Sequence, residues 1–161
     1  KANADLLLRF GGHPQACGFS MDKDNKDKFI SNMKKRANKQ LKGVELETKL
    51  AIEIVINFKD ISWEIVDLLE KFKPFGQANE EPLFMSTDLL VTAARKVGND
   101  SKHLKLELVK DNKKRGAIAF GLGGMDLEIG DKIDVVYNLS INQWNGNREI
   151  QLIIKDIKKN A

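Results

Sequence analysis

The stretch Lys132-Ile133-Asp134-Val135-Val136-Tyr137-Asn138-Leu139-Ser140-Ile141-Asn142-Gln143-Trp144-Asn145-Gly146-Asn147-Arg148-Glu149-Ile150-Gln151-Leu152-Ile153-Ile154 decides the fold. Ile133, Val135, Leu139 and Ile141 share one parity, and Ile150, Leu152 and Ile154 likewise share one, which is the period of half-buried strands. Asn145-Gly146 between them is the residue pair that a tight hairpin turn favours, because both turn positions need a positive φ. Working outward, Leu104, Leu106 and Leu108 alternate with polar residues, as do Ile52, Ile54 and Ile56 more loosely, and further strands are predicted over residues 84–97 and 115–121. Short strands in such succession predict a small β-barrel or sandwich. One short helix interrupts them, with Ser62 as its cap, Ile65, Leu69 and Phe72 on one face, and Pro74 and Gly76 ending it.

Before Gly43 the period is helical. Phe29, Ile30, Met33, Ala37 and Leu41 form one stripe over residues 26–41, with lysines and an arginine around the rest. Asp22, Asp24, Asn25 and Asp27 place caps and negative charge at its start, where the helix dipole favours them. The Asp22/Asp24 spacing is not a calcium loop: no glycine stands at the sixth position, and Met33 occupies the place of the closing glutamate. Ala2, Ala4, Leu6, Leu7 and Leu8 read as the end of a helix already under way, and with Lys1 in place of an initiator methionine a fragment of a longer protein is expected. The change of period puts a domain boundary near residues 43–47, dividing the chain into residues 1–45 and 46–161.

The chain of 161 residues is 42% hydrophobic, enough for a packed core. No stretch reaches the roughly 18 consecutive apolar residues of a membrane span, and no signal-peptide layout opens it. A soluble, cytoplasmic protein is expected. Its one cysteine, Cys17, excludes an internal disulfide and a cysteine-rich zinc site. Net charge is +4, unevenly spread: residues 1–45 carry ten Lys or Arg against five Asp or Glu, and the remainder seventeen against eighteen. The basic excess suits a polyanionic partner or a solvated helix face.

The densest chemistry lies in Arg9-Phe10-Gly11-Gly12-His13-Pro14-Gln15-Ala16-Cys17-Gly18-Phe19. Adjacent glycines let backbone N–H groups approach an anion closely, and His13 and Arg9 can donate to phosphate oxygens. Paired glycines also mark turns, and a lone histidine is often a satisfied polar residue; the residues alone leave both readings open.

This run resembles the GGHxxAAGF motif of the DHHA1 domain in the DHH phosphoesterase superfamily, most closely in the RecJ family. Cys17 stands where alanine is usual. A second block, Pro74-Phe75-Gly76-Gln77-Ala78-Asn79-Glu80-Glu81-Pro82-Leu83-Phe84, resembles the segment that opens the RecJ barrel, with Ala78 and Glu80 replacing a glycine and a proline. Val97-Gly98, His103-Leu104-Lys105-Leu106, Ala117-Ile118-Ala119-Phe120-Gly121 and Asn142-Gln143-Trp144-Asn145-Gly146 follow in family order. The resemblance implies an α+β chain: the C-terminal part of an α/β DHHA1 domain, then a β-barrel of oligonucleotide-binding (OB-fold) type. It implies a single-strand-specific 5′-to-3′ DNA exonuclease of repair and recombination, using Mn2+ or Mg2+ held by an upstream Asp-His-His domain. The only histidines here are His13 and His103. The metal centre is therefore expected outside this chain, and the chain alone is expected to be inactive. His13 is implied as the catalytic residue, with Arg9, Gly11, Gly12 and His13 on the substrate phosphate. Single-stranded DNA is the expected partner, with a single-strand-binding protein or helicase as helpers.

On the barrel, Trp144 at a polar hairpin tip is the candidate stacking platform, and Arg95, Lys102, Lys105 and Arg148 the candidate backbone-tracking cations. Phe120 and Tyr137 are assigned to the core, Trp63 to the packing of its helix, and Lys113, Lys114 and Arg115 to a solvated turn. Gly121, Gly123 and Gly124 lack the Lys-Ser/Thr of a phosphate-binding loop and shape a turn. Two other readings stay open: a binding module without hydrolysis, and a phosphodiesterase of very short or cyclic oligonucleotides, against which the barrel argues.

Overall fold

The computed structural model describes residues 3–13, 15–47, 49–144 and 146–160, the side chain of Trp144 excepted. They fall into two compact units, Lys1–Lys49 and Leu50–Ala161.

The expected helix end falls partly on Lys1 and Ala2, outside the described residues; over Ala4–Leu6 the first unit forms a 3-10 turn and not an α-helix. Leu7 is already extended, and the Leu8 N–H donates to the Ser20 carbonyl at 2.9 Å, so the chain leaves the turn to join a hairpin. That hairpin pairs β1 (Arg9–His13) with β2 (Ala16–Ser20), Gly11 opposite Gly18 and Gly12 opposite Cys17. The two glycines thus lie within a strand and not at the reversal. Helix α1 (Lys26–Gln40) follows a 3-10 turn over Lys23–Asn25. No side-chain cap bond forms at either start; the backbone does the work, with the Asn25 N–H donating to the Asp22 carbonyl at 3.0 Å. Phe29 meets Phe19 of β2 with ring centroids 4.9 Å apart, but Ile30, Met33 and Leu41 of the same stripe remain exposed.

In the second unit β4 (Phe84–Val97), β5 (His103–Lys110), β6 (Lys113–Ala119), β7 (Lys132–Trp144) and β8 (Asn147–Lys159) form a closed barrel. Its neighbour order is β4-β5-β6-β8-β7, with β7 returning to β4. Closure depends on β4, whose first half pairs with β7 and second half with β5. Register shifts at Ser86/Leu89 and Val91/Ala93 bend it from one partner to the other. Among the described residues the five barrel strands form one parallel pair, β6 with β8, since β7 intervenes in the chain.

Leu104, Leu106, Leu108, Ile133, Val135, Leu139, Ile150, Leu152 and Ile154 are buried as their alternation predicts. A shift in the β7–β8 register moves the pairing from Tyr137↔Ile154 to Val136↔Asp156, so Lys155 is passed over and Ile157, of opposite parity, turns inward. Tyr137 is fully buried, its hydroxyl 2.8 Å from Ser86 Oγ.

Residues 52–56 fall short of a half-buried strand. Only β3 (Ile54–Val55) pairs, in parallel, with the first two residues of β4, and both side chains stay exposed; Ile56 alone packs against the core. Helix α2 (Trp63–Lys71) buries Val66, with Ile65 and Leu69 partly covered. Phe72 is exposed: the Asn79 amide donates to the carbonyls of Phe72 and Pro74, both at 2.9 Å, holding a reversal that leaves the ring outside.

Candidate nucleic-acid interface

The outward faces of β5 and β6 form the floor of a groove of about 1090 Å³, which also reaches β4, β8 and the start of α2. Seven basic side chains line it against three carboxylates. Arg95 of β4 and Lys105 of β5 are register partners, so two like charges stand side by side on the floor. Such a pair opposes folding unless an anion joins it. Among the described residues neither enters an ion pair, which leaves both charges available.

One of the three carboxylates, Glu107, is already paired with a cation. Lys114 Nζ lies 2.6 Å from Glu107, and Thr92 Oγ1 donates to the same carboxyl at 2.9 Å; the Lys114 bond first and the Thr92 bond second hold Glu107 below the usual carboxylate range. Glu64 is lowered by the Ser62 hydroxyl and by its own backbone N–H. At the far end Lys105 shares a smaller recess with Asn142, Asn147 and Glu149, beside the β7–β8 hairpin.

Arg95, Lys105 and Arg148 are thus brought together. Lys102 is not: it lies in the turn before β5, 3.3 Å from Asp100, next to His103 and Gly121. The Trp144 side chain and Asn145 lie outside the described residues. Lys113, Lys114 and Arg115 open β6 and line the groove; the turn itself is Asp111-Asn112, both at positive φ. Arg115 donates to the Ile61 carbonyl at 2.8 Å and so ties the entry of α2 to the barrel. Trp63 stands at the groove wall, 37% exposed, with the Arg148 guanidinium 5.1 Å from its ring centroid. The core beneath α2 is filled by Val66, Ile65 and Leu69, which is why the indole does not pack inward as expected. Phe120 is also exposed, edge-on to His103 at 5.1 Å, because it follows the last β6 residue where the chain leaves the barrel.

In the first unit Arg9, Gly11, Gly12 and His13 all lie on the exposed strand β1, with Phe10 between the first two. A Cβ on Gly12, which sits at φ 145°, would run into the Ala16 carbonyl oxygen, so only glycine fits there. The backbone N–H of Gln15 donates to His13 Nδ1 at 3.3 Å, which leaves Nε2 as the proton-bearing nitrogen of the neutral ring. Among the described residues no group of three or more His, Cys, Asp or Glu is placed to hold a metal ion, so these side chains do not fit the divalent ions implied by resemblance.

A five-stranded closed barrel in this order, with its ligand-sized groove across the second and third strands, is the architecture of the oligonucleotide-binding class. The model of the RecJ OB domain family matches residues 52–156, and the chain belongs to that family. The single-stranded-DNA-specific exonuclease RecJ of Bacillus subtilis is 27% identical over 154 residues, 94% of this chain and 20% of that protein. Its counterpart in Thermus thermophilus is 30% identical over 158 residues, 96% of this chain and 22% of that protein. The crystal structure of Thermus thermophilus RecJ in complex with Mn2+ superimposes with a TM-score of 0.75 at 26% identity, covering 99% of this chain and 23% of that one. The chain therefore spans about a fifth of the length of these relatives.

Proposed function

We propose that the chain is the C-terminal region of a RecJ-type exonuclease, in which residues 46–161 hold single-stranded DNA and residues 1–45 are the end of a DHHA1 domain. The observation that carries this reading is the convergence of Arg95, Lys105 and Arg148 on one groove of an OB-fold barrel. Cations there track the sugar-phosphate backbone, and exposed aromatics take the bases without regard to sequence. In the intact enzyme, Arg9, Gly11, Gly12 and His13 meet the scissile phosphate, His13 as a donor to a non-bridging oxygen. The divalent ions activate the attacking water and belong to a part of the enzyme outside this chain. Digestion runs 5′ to 3′ in the cytoplasm, and a single-strand-binding protein or helicase supplies the substrate strand. Lys102, away from the groove, is a secondary contact in this scheme.

The test is fluorescence anisotropy of labelled single-stranded and duplex DNA with residues 1–161. Single strands of mixed base content should bind more tightly than duplex, and the logarithm of affinity should fall linearly with the logarithm of salt concentration. Equal affinity for duplex, or no binding, would refute it. With Mn2+ and an end-labelled strand the same chain should release no nucleotide.

A further inference from the structure

We propose that Trp63 is a base-stacking residue of the groove and that Arg148 is its latch, covering the indole when the groove is empty and gripping the strand when it is filled. The inference rests on the single-strand reading of the groove and deepens it by naming which side chains take a base.

Three observations carry it. Trp63 belongs to α2, which precedes the barrel strands, yet it lines the same groove as the β4 and β5 cations and keeps 37% of its surface exposed. Its ring face is turned to the groove, because Arg148 reaches over it from β8, two residues beyond Gly146 of the β7–β8 hairpin, at 5.1 Å from the centroid. The backbone that carries the indole is anchored two residues earlier: Ile61 is fully buried, and its carbonyl accepts the Arg115 guanidinium at 2.8 Å. An aromatic face on a basic groove, carried by an anchored backbone and covered by a flat cation, is a stacking site already holding a substitute for a base.

The exchange follows from the chemistry of the two partners. A nucleobase on an indole gains more than an exposed guanidinium does, since the cation gives up hydration to sit there. A base entering the groove therefore displaces Arg148. The freed guanidinium keeps its charge and its fork of donors, and the adjacent phosphate is the anion within its reach. Arg95 and Lys105 on the floor continue the same backbone track.

The chain has two tryptophans, so replacing Trp144 by phenylalanine leaves Trp63 as the sole indole fluorophore. In that background a deoxythymidine oligomer of about 12 nucleotides, within the span one OB fold covers, should quench Trp63 emission as it saturates the groove. Trp63→Ala in the same background should weaken binding by about tenfold, and Trp63→Phe, which keeps an aromatic face, by much less. Arg148→Ala should weaken binding and flatten its salt dependence while the quench persists. A strand that binds with unchanged Trp63 emission, and with equal affinity for Trp63→Ala, would overturn the inference and leave the groove reading standing. A wild-type chain that binds no strand would overturn both.

Discussion

Arg95 and Lys105 face each other across the β4–β5 ladder, two exposed cations at directly opposed positions, with no carboxylate paired to either among the described residues. Like charges so placed cost the free barrel about 0.2 to 1 kcal/mol. Function and stability therefore pull in opposite directions at this pair. Lys105→Ala should raise the unfolding free energy by a few tenths of a kcal/mol while weakening single-strand binding. It should also reduce the slope of log affinity against log salt by about 0.7, the share of one phosphate contact on a single strand. Urea unfolding and anisotropy on one preparation give both signs. A mutant that loses stability and affinity together would make Lys105 a structural residue.

Tyr137 supplies a pH prediction from the opposite kind of site. Burial pushes its phenol up to about 12, against a smaller lowering by the Ser86 hydroxyl bond. A phenol whose pKa is raised on folding stabilises the native state below its ordinary value near 10, and this contribution is lost as pH climbs from there to about 12. The unfolded chain binds fewer protons in that window, so stability must fall, by roughly 1 to 3 kcal/mol in all. It is the only tyrosine, so phenolate absorbance reports it directly. Urea melts from pH 9 upward, compared with Tyr137→Phe, isolate its share: the mutant should lack this part of the decline.

Ala78 stands in left-handed backbone at φ 65°, at the position where the family resemblance expects glycine. A Cβ there costs roughly 1 to 2 kcal/mol, of which the greater freedom of glycine in the unfolded chain takes back part. Ala78→Gly should therefore stabilise the barrel by up to about 1 kcal/mol, seen as a higher urea midpoint with an unchanged slope. A lower midpoint would show that the surrounding turn, held by the Asn79 amide, has adapted to alanine.

The barrel was legible because its strands have one inner face, so that Leu104, Leu106 and Leu108 or Ile150, Leu152 and Ile154 announce themselves by parity alone. Parity failed where a second partner or a register shift intervenes. Ile52 and Ile54 share one parity, but only Ile54, with Val55, pairs with the first residues of β4, and both isoleucines stay exposed, while Ile157 is buried only because the ladder skips Lys155. The groove was half legible: Arg95, Lys105 and Arg148 could be named as charges, but nothing local shows that three strands bring them together. Trp63 was open to detection. At 100° per residue it lies about 110° from the mean direction of Ile65, Val66 and Leu69, so the helix's own periodicity places it off the buried face. The stripe of α1 read as amphipathic, and of it only Phe29 finds an aromatic partner in its unit.

His13 is the sharpest test of the catalytic half of the proposal, and it requires the intact enzyme. The Gln15 N–H occupies Nδ1, so the neutral imidazole carries its proton on Nε2 and can donate it away from the hairpin. If that donor meets a non-bridging oxygen of the scissile phosphate, its bond strengthens as charge builds in the transition state. Its loss then appears in turnover more than in binding. His13→Ala should lower kcat by about 10²-fold, with single-strand affinity changed far less because the barrel groove is intact. A structural histidine behaves differently: the Gln15 bond would be the whole of its role, and the mutant would lose melting temperature and activity in step. Gly12→Ala provides the comparison, since its Cβ cannot clear the Ala16 carbonyl and must disturb the hairpin itself. Single-turnover cleavage, strand affinity and melting temperature should separate the two variants, with Gly12→Ala unstable and inactive, and His13→Ala stable and slow. A stable His13→Ala enzyme that cleaves at the normal rate would remove His13 from the reaction.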